Sequence, residues 1–233
     1  MPTAANPNLH EVDWSKIPAP ADDGGARHLQ GAKVPDVALT ATDGSQVSLA
    51  RLAGRVVVFA YPRTGEPGKP SLVGDWDTIP GARGCTPQTC AFRDLHKVLI
   101  EAGAARVFGL STQDAAYQLE AAGRLHLPFP LLSDEKLALT RALRLPTLQV
   151  AGLTLIKRLA LVIDDASIAK AFYPVFPPDR NAGDVLAWLV SSRPPGGSAE
   201  VRGRNLSTTC SSSEIMGRWV FTAADPRKIL RLS

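Results

Sequence analysis

The chain has 233 residues, of which 45% are hydrophobic and 21% charged, as in an ordinary globular protein. This length suits one domain with terminal extensions and is too short for two large domains. No apolar run reaches the roughly 18–20 residues that a membrane-spanning helix needs, so we expect no membrane association. The first 20 residues lack a basic start followed by an apolar block, so we expect a cytoplasmic protein, with the nucleus left open.

The net positive charge of the chain comes from its last 41 residues. Residues 193–233 contain seven Lys/Arg and three Asp/Glu, which accounts for the whole net charge of +4. Subtraction from the totals of 26 and 22 leaves 19 of each sign in residues 1–192. Because the body of the chain is formally neutral, we expect no nucleic-acid partner.

Composition divides the chain into three parts. Residues 1–30, rich in Pro, Ala, Asp and Gly, predict an extended N-terminal lead-in. Residues 31–192 carry the patterned segments of a single domain. Residues 193–233, rich in Pro, Gly, Ser and Thr, predict a basic, disordered tail, in which Cys210 is an exposed thiol without a function.

Strands and helices alternate along the predicted domain. Apolar and β-branched runs predict strands in six places: a 37–41/47–49 hairpin across Asp43-Gly44, 56–61, 106–110, 127–132, 155–163 and 168–172. Capping residues and helical periodicity predict four helices. One has Thr86 as N-cap and Pro87 as its first residue, one is capped by Ser111, one starts at Ser133-Asp134, and one covers 182–190. This order predicts an α/β fold with a mixed central β-sheet flanked by helices.

The segment GCTPQTCAFRDL, residues 84–95, carries the most chemical information. It follows a buried strand and a long loop and opens a helix, which places Cys85 at the helix N-terminus. The unpaired N–H groups there stabilise a thiolate, the reactive form of cysteine. Cys90 lies five residues later, where the two Cα atoms of an ideal helix are about 8–9 Å apart. A disulfide needs about 7 Å or less, so this pair can bridge only if the helix start unwinds.

Spacing alone allows other interpretations of the two cysteines. A cysteine near a helix start is often a small buried apolar residue. A zinc site would need a second ligand pair, and the histidines at positions 10, 28, 96 and 126 form no ligand-spaced cluster. A thioredoxin-type oxidoreductase would show C-x-x-C, which this segment lacks.

In sequence, the segment resembles the active-site segment of peroxiredoxins, above all of their Q-type (bacterioferritin-comigratory) branch. The resemblance continues in order over about residues 31–190, through the segments GAKVPD (31–36), FAYP (59–62), GLS (109–111), LPFPLLSD (127–134) and KR…LVID (157–164). It implies a thioredoxin-like fold, with Cys85 as the peroxidatic cysteine and Cys90 as its disulfide-forming resolving partner. Arg158 would be the active-site cation, and neighbouring Lys157 a surface residue.

The resemblance also implies an activity. The chain would reduce hydrogen peroxide and organic hydroperoxides, with an external dithiol such as thioredoxin as reductant, and without metal, flavin or haem. Because both cysteines lie within one predicted helix, we also expect a monomer. An alternative is a thioredoxin-fold redox sensor or binding protein that turns over little peroxide. A purely structural domain is a third possibility.

The loop before Cys85 departs from the family pattern. The family has Pro seven residues and Thr three residues before the cysteine, whereas here Pro62 lies 23 residues before it and Ala82 takes the Thr position. The substrate-binding hydroxyl would therefore come from Thr64 or from Thr78. Arg83, two residues before Cys85, is expected to be a solvated loop residue.

Overall fold

We describe residues 12–192 from a computed structural model. The tail predicted over 193–233, with Cys210, and residues 1–11 of the lead-in lie outside the described residues. The strands are β1 Leu39–Ala41, β2 Gln46–Val47, β3 Arg55–Ala60, β4 Arg106–Ser111, β5 Leu131–Ser133, β6 Thr147–Val150, β7 Leu153–Ile156, β8 Leu159–Asp164 and β9 Ser167–Phe172. The α-helices are α1 Cys85–Glu101, α2 Ala115–Arg124, α3 Ala138–Leu143 and α4 Asn181–Ser191.

Seven of these strands form one mixed sheet in the order β2-β1-β5-β4-β3-β8-β9. The central strands β3, β4 and β5 run parallel, and the remaining pairings of this sheet are antiparallel. β6 and β7 form a separate two-stranded sheet. The predicted α/β class with a mixed sheet flanked by helices is confirmed.

The central strand β3 is buried on both faces, as its unbroken apolar run predicted. Val56, Val58 and Ala60 face the cluster that includes α3. Val57 and Phe59 face the cluster that includes α1 and α4. The ring of Phe59 stacks on Phe92 of α1 at a centroid distance of 4.2 Å. This stacking ties the helix that carries both cysteines to the middle of the sheet.

Three helices begin at residues other than those predicted. Helix α1 begins at Cys85 with Gly84 as its N-cap, and not after a Thr86 cap, because Gly84 adopts a left-handed conformation with φ of 104°. Helix α2 is capped by the Asp114 carboxylate, which accepts from Tyr117 N, and Ser111 ends β4. Helix α3 begins at Ala138, because Asp134 accepts hydrogen bonds from Leu139 N and Thr140 N.

The strand predicted over 155–163 is two strands. The chain leaves the β6–β7 hairpin after Ile156 and enters the main sheet at Leu159. Between them, Lys157 N donates to the carbonyl of Pro146, outside either sheet. The break matters for function because it places Arg158 at the entry of β8.

The described part of the lead-in packs on the domain. Leu29 is fully buried and Ala26 nearly so, in the same cluster as α3. The three-part division of the chain stays a prediction. Within residues 12–192, no helix has the length and apolar content required to cross a bilayer.

Candidate active site

Cys85 is the first residue of α1 and its side chain is buried, with 4% exposure. The first helical hydrogen bond runs from Gln88 N to the carbonyl of Gly84, at 3.1 Å. The backbone N–H groups of the first turn, just before it, have no partner inside the helix. The thiol therefore lies in the field of a helix N-terminus, as the sequence predicted, although the helix starts two residues earlier.

Arg158 reaches the sulfur of Cys85 from the start of β8. Its Nη2 donates to Cys85 Sγ at 3.4 Å, and to the carbonyls of Gly81, Ala82 and Arg83 at 3.3, 3.3 and 3.0 Å. Its side chain is almost completely buried. One guanidinium thus holds the turn before the thiol and contacts the thiol itself.

Two buried amides complete this group, and the sequence did not single them out. Arg158 Nη1 donates to Oε1 of Gln88, and Gln88 Nε2 donates to Oδ1 of Asn181 at 2.9 Å. Gln88 lies three residues after Cys85, on the same side of α1, which is the signal that could have found it. Asn181 begins α4, so the chain of bonds joins three elements.

The charge of Arg158 has no carboxylate partner within residues 12–192. Its contacts there are amide and carbonyl oxygens and the sulfur of Cys85. Its Nε is buried and has no hydrogen-bond acceptor in this part of the chain. A buried cation is costly unless an opposite charge lies nearby.

Tyr61 directly follows β3 and lies in the same buried cluster as Cys85. Burial raises the pKa of this phenol well above its usual value, and the electrostatic interaction with Cys85 adds to the shift. Tyr61 Oη donates to Oε1 of Gln118 at 2.7 Å. The phenol is therefore protonated and uncharged next to the site.

Cys90 lies in the second turn of α1, is half-buried, and like Cys85 is a free thiol. Burial raises the pKa of the Cys90 thiol. Its side chain lines a cavity of about 110 Å³, whose other wall includes Val12 and Trp14. The two cysteines belong to one unbroken helix, so no disulfide can join them in this conformation.

The two candidate hydroxyls lie in different surroundings. Thr64 is buried, and its hydroxyl donates to Oε1 of Gln113 at 3.1 Å. The Thr78 hydroxyl donates to the carbonyl of Asp75 at 2.8 Å on the surface. Neither hydroxyl contacts Cys85 or Arg158 in the part of the chain that is described.

The side chain of Arg83 points away from the thiol. It is exposed and pairs with Asp77, and only its carbonyl contacts Arg158. Over residues 12–192, no three His, Cys, Asp or Glu side chains come together as a metal site.

Comparison with known proteins places the chain in a family. The family model Redoxin matches residues 29–186. The chain belongs to the redoxin family. This redoxin is 35% identical over 164 residues to chloroplastic peroxiredoxin Q of Oryza sativa subsp. japonica, which covers 70% of the chain and 67% of the relative. It is 32% identical over 169 residues to chloroplastic peroxiredoxin Q of Gentiana triflora, with 72% and 69% covered.

Solved structures give the same fold. The redoxin is similar to the peroxidoxin BcpB of Mycobacterium tuberculosis, with a TM-score of 0.57, 28% identity, and 70% and 97% of the two chains covered. Peroxiredoxin Q of Xanthomonas campestris has a TM-score of 0.55 at 24% identity, with 68% and 92% covered. The predicted thioredoxin-like fold and the resemblance to Q-type peroxiredoxins are confirmed. The redoxin is accordingly a thiol peroxidase, with a peroxide as substrate and a thiol as reductant.

Proposed function

We propose that Cys85 is the peroxidatic nucleophile, that Cys90 resolves its oxidised form, and that Arg158 is the active-site cation. One observation carries the proposal. The buried Arg158 guanidinium has no carboxylate partner within residues 12–192 and lies 3.4 Å from Cys85 Sγ. Of its contacts, the sulfur of Cys85 is the one that can become an anion.

The magnitude of this pairing favours the thiolate. Two unit charges 3.4 Å apart attract by about 5 kcal/mol at the effective dielectric constant of about 20 that suits protein sites. A neutral thiol gains almost none of this energy. The helix N-terminus at Cys85 favours the negative charge further.

The first step is nucleophilic substitution at oxygen. The Cys85 thiolate attacks the terminal oxygen of a peroxide ROOH, an S–O bond forms, and the O–O bond breaks. The leaving RO⁻ takes a proton and departs as an alcohol, or as water when the substrate is hydrogen peroxide. Arg158 Nε is buried without an acceptor within residues 12–192, and we assign to it a hydrogen bond to the peroxide.

We assign the substrate-binding hydroxyl to Thr64 rather than Thr78. Thr64 is buried and lies three residues after Tyr61, which belongs to the cluster of Cys85, whereas Thr78 is exposed. Thr64→Val should raise the KM for hydrogen peroxide about tenfold, the loss expected for one hydrogen bond of about 1.4 kcal/mol. An unchanged KM, or a larger effect of Thr78→Val, would contradict this assignment.

In the second step the Cys90 thiol condenses with the sulfenic acid of Cys85, forming a disulfide and releasing water. The start of α1 must unwind first, because both cysteines lie in one helix. We propose thioredoxin as the dithiol that then reduces the disulfide by exchange. Since both cysteines come from one chain, we also propose a monomer, which light scattering of the reduced and oxidised forms will check.

The decisive experiment is the mass of the protein after treatment with hydrogen peroxide and alkylation. We expect a Cys85–Cys90 disulfide in the wild type, no peroxide consumption in Cys85→Ser, and a single turnover that stops at the sulfenic acid in Cys90→Ser. Consumption that survives Cys85→Ser would refute the assignment. A disulfide that forms without steady turnover in the presence of thioredoxin and its reductase would favour the redox-sensor alternative.

We propose the cytoplasm as the working compartment. A recycled dithiol centre needs a reducing environment, which the cytoplasm provides. The relatives named above are called chloroplastic, so fractionation of the source cells is the test. Recovery in an organelle fraction would correct this assignment.

A further inference from the structure

The N-terminal segment crosses the turn that precedes Cys85. We call residues 12–25 the N-terminal strap. At one end of the strap, Trp14 packs against Gly84, so closely that a Cβ on Gly84 would lie 2.9 Å from Trp14 Cη2. Trp14 Nε1 donates to Oδ2 of Asp179 at 2.9 Å, and its ring meets Phe176 edge-on. These contacts place the indole over the N-cap of α1.

The other end of the strap is fixed beside Arg158. Pro20 packs against Gly81, and a Cβ added to Gly81 would lie 3.4 Å from Pro20 Cβ. Asp23 accepts from Lys157 Nζ at 2.6 Å and from Tyr173 Oη at 2.7 Å. These bonds, that of Lys157 above all, hold the pKa of the Asp23 carboxyl well below its usual range. The strap therefore spans the turn from Gly81 to Gly84, with an anchor on each side.

This arrangement opposes the motion that resolution requires. Cys90 can reach Cys85 only if the first turns of α1 unwind, and Gly84 and Pro87 must then move away from the strap. Trp14 also forms part of the wall of the cavity at Cys90. The attack on peroxide needs the opposite state, in which the helix start is folded and Arg158 contacts the sulfur.

We propose that Trp14 and Asp23 are positioning residues that set the rate of disulfide formation by holding the turn from Gly81 to Gly84 and the start of α1 folded. The inference rests on the proposed roles of Cys85 and Cys90. The strap favours the folded turn, so it slows the condensation of the Cys85 sulfenic acid with the Cys90 thiol, in which an S–S bond forms and water leaves. A sulfenic acid that persists longer is exposed to a second peroxide and to oxidation to the sulfinic acid.

The test compares Trp14→Ala and Asp23→Asn with the wild type in the full chain. Reduced protein is mixed with hydrogen peroxide, quenched with acid at set times, and alkylated, and the Cys85–Cys90 disulfide is followed by mass spectrometry. We expect disulfide formation to become about fivefold faster in Trp14→Ala, and about threefold faster in Asp23→Asn. The second-order rate of peroxide with Cys85 should change by less than about twofold, and less sulfinic acid should form at high peroxide.

Trp188→Ala is the matched control, since Trp188 is also partly buried but lies on α4, where its ring stacks on the guanidinium of Arg55. Asp23→Asn keeps the inference testable if Trp14→Ala does not fold. The inference is overturned, and the proposed function stays intact, if the Cys85–Cys90 disulfide forms at the same rate in the wild type and in both strap variants. The same conclusion follows if Trp188→Ala accelerates disulfide formation as much as the strap variants do. A wild type that forms no Cys85–Cys90 disulfide would overturn the proposed function and this inference with it.

Discussion

The glycine before Cys85 offers a stringent test of the geometry at the helix start. Gly84 has a φ of +104°, and a Cβ added to it would lie 2.5 Å from Pro178 Cγ and 2.9 Å from Trp14 Cη2. Gly103, which follows the other end of the same helix, has a φ of +109° with nothing within 4 Å of an added Cβ. The two alanine substitutions therefore share the backbone penalty and differ in the steric one.

The structure sets the size of each effect. A left-handed conformation costs an L-residue about 1–2 kcal/mol, which is the whole expectation for Gly103→Ala. Overpacking against Pro178 and Trp14 adds about 1–3 kcal/mol to Gly84→Ala. For a domain of this size, about 3 kcal/mol lowers the Tm by roughly 10 °C and about 1.5 kcal/mol by roughly 4 °C.

Urea unfolding of the reduced protein, followed by circular dichroism, will measure both variants against the wild type. We expect the free energy of unfolding to fall about twice as far in Gly84→Ala as in Gly103→Ala, with an unchanged m-value. Equal losses would refute the reasoning, because they would mean that neither Pro178 nor Trp14 packs on the N-cap of α1.

Three further predictions concern the site itself. Arg158→Met should slow the reaction of hydrogen peroxide with Cys85 by about 10²–10³-fold in stopped flow, because the reacting sulfur loses its cation. Gln88→Leu should lower the free energy of unfolding by about 1–3 kcal/mol in urea, because Arg158 Nη1 and Asn181 Oδ1 lose a partner in a buried place. In Cys85→Ser, the rate at which iodoacetamide alkylates Cys90 should rise with pH at a higher midpoint in the folded protein than in the protein unfolded in urea. Burial raises the pKa of this thiol and keeps it protonated at neutral pH.

Matched variants serve as controls. Arg83→Met removes a neighbouring guanidinium that pairs with Asp77 but keeps the carbonyl that Arg158 contacts, so it should react at the wild-type rate. Gln149→Leu replaces an exposed glutamine of the β6–β7 hairpin and should cost little stability. The first prediction is contradicted if Arg158→Met reacts with hydrogen peroxide as fast as Arg83→Met. The second is contradicted if Gln149→Leu loses as much stability as Gln88→Leu. The third is contradicted if Cys90 has the same alkylation midpoint in buffer and in urea.

The sequence predicted the main sheet well because its central strands are unbroken apolar runs. It missed β6, which has four residues, of which only Val150 is buried. It also merged β7 with β8, because the hydrophobic pattern continues on both sides of Lys157 and Arg158. The break comes from the pairing of β7 with β6, a tertiary contact that periodicity does not register.

The site was predicted in part, for a similar reason. Cys85, Cys90 and Arg158 followed from motif and resemblance, and the structure brings Cys85 and Arg158 into contact. Asn181 was missed because its partner Gln88 lies 93 residues away, and no local pattern reports such a pair. The packing of Trp14 was missed because an aperiodic segment gives no indication of the surface it covers.

The long loop before Cys85 is attached at each end by separate bonds. At its start, Thr64 N and O bond to the side-chain amide of Gln113, and at its end Arg158 gathers the carbonyls of residues 81–83. Residues between these attachments can be added or removed at a small cost in closure entropy, without moving the thiol. The loop between Thr64 and Gly81 can therefore vary in length and sequence during evolution without changing the arrangement of Cys85 and Arg158.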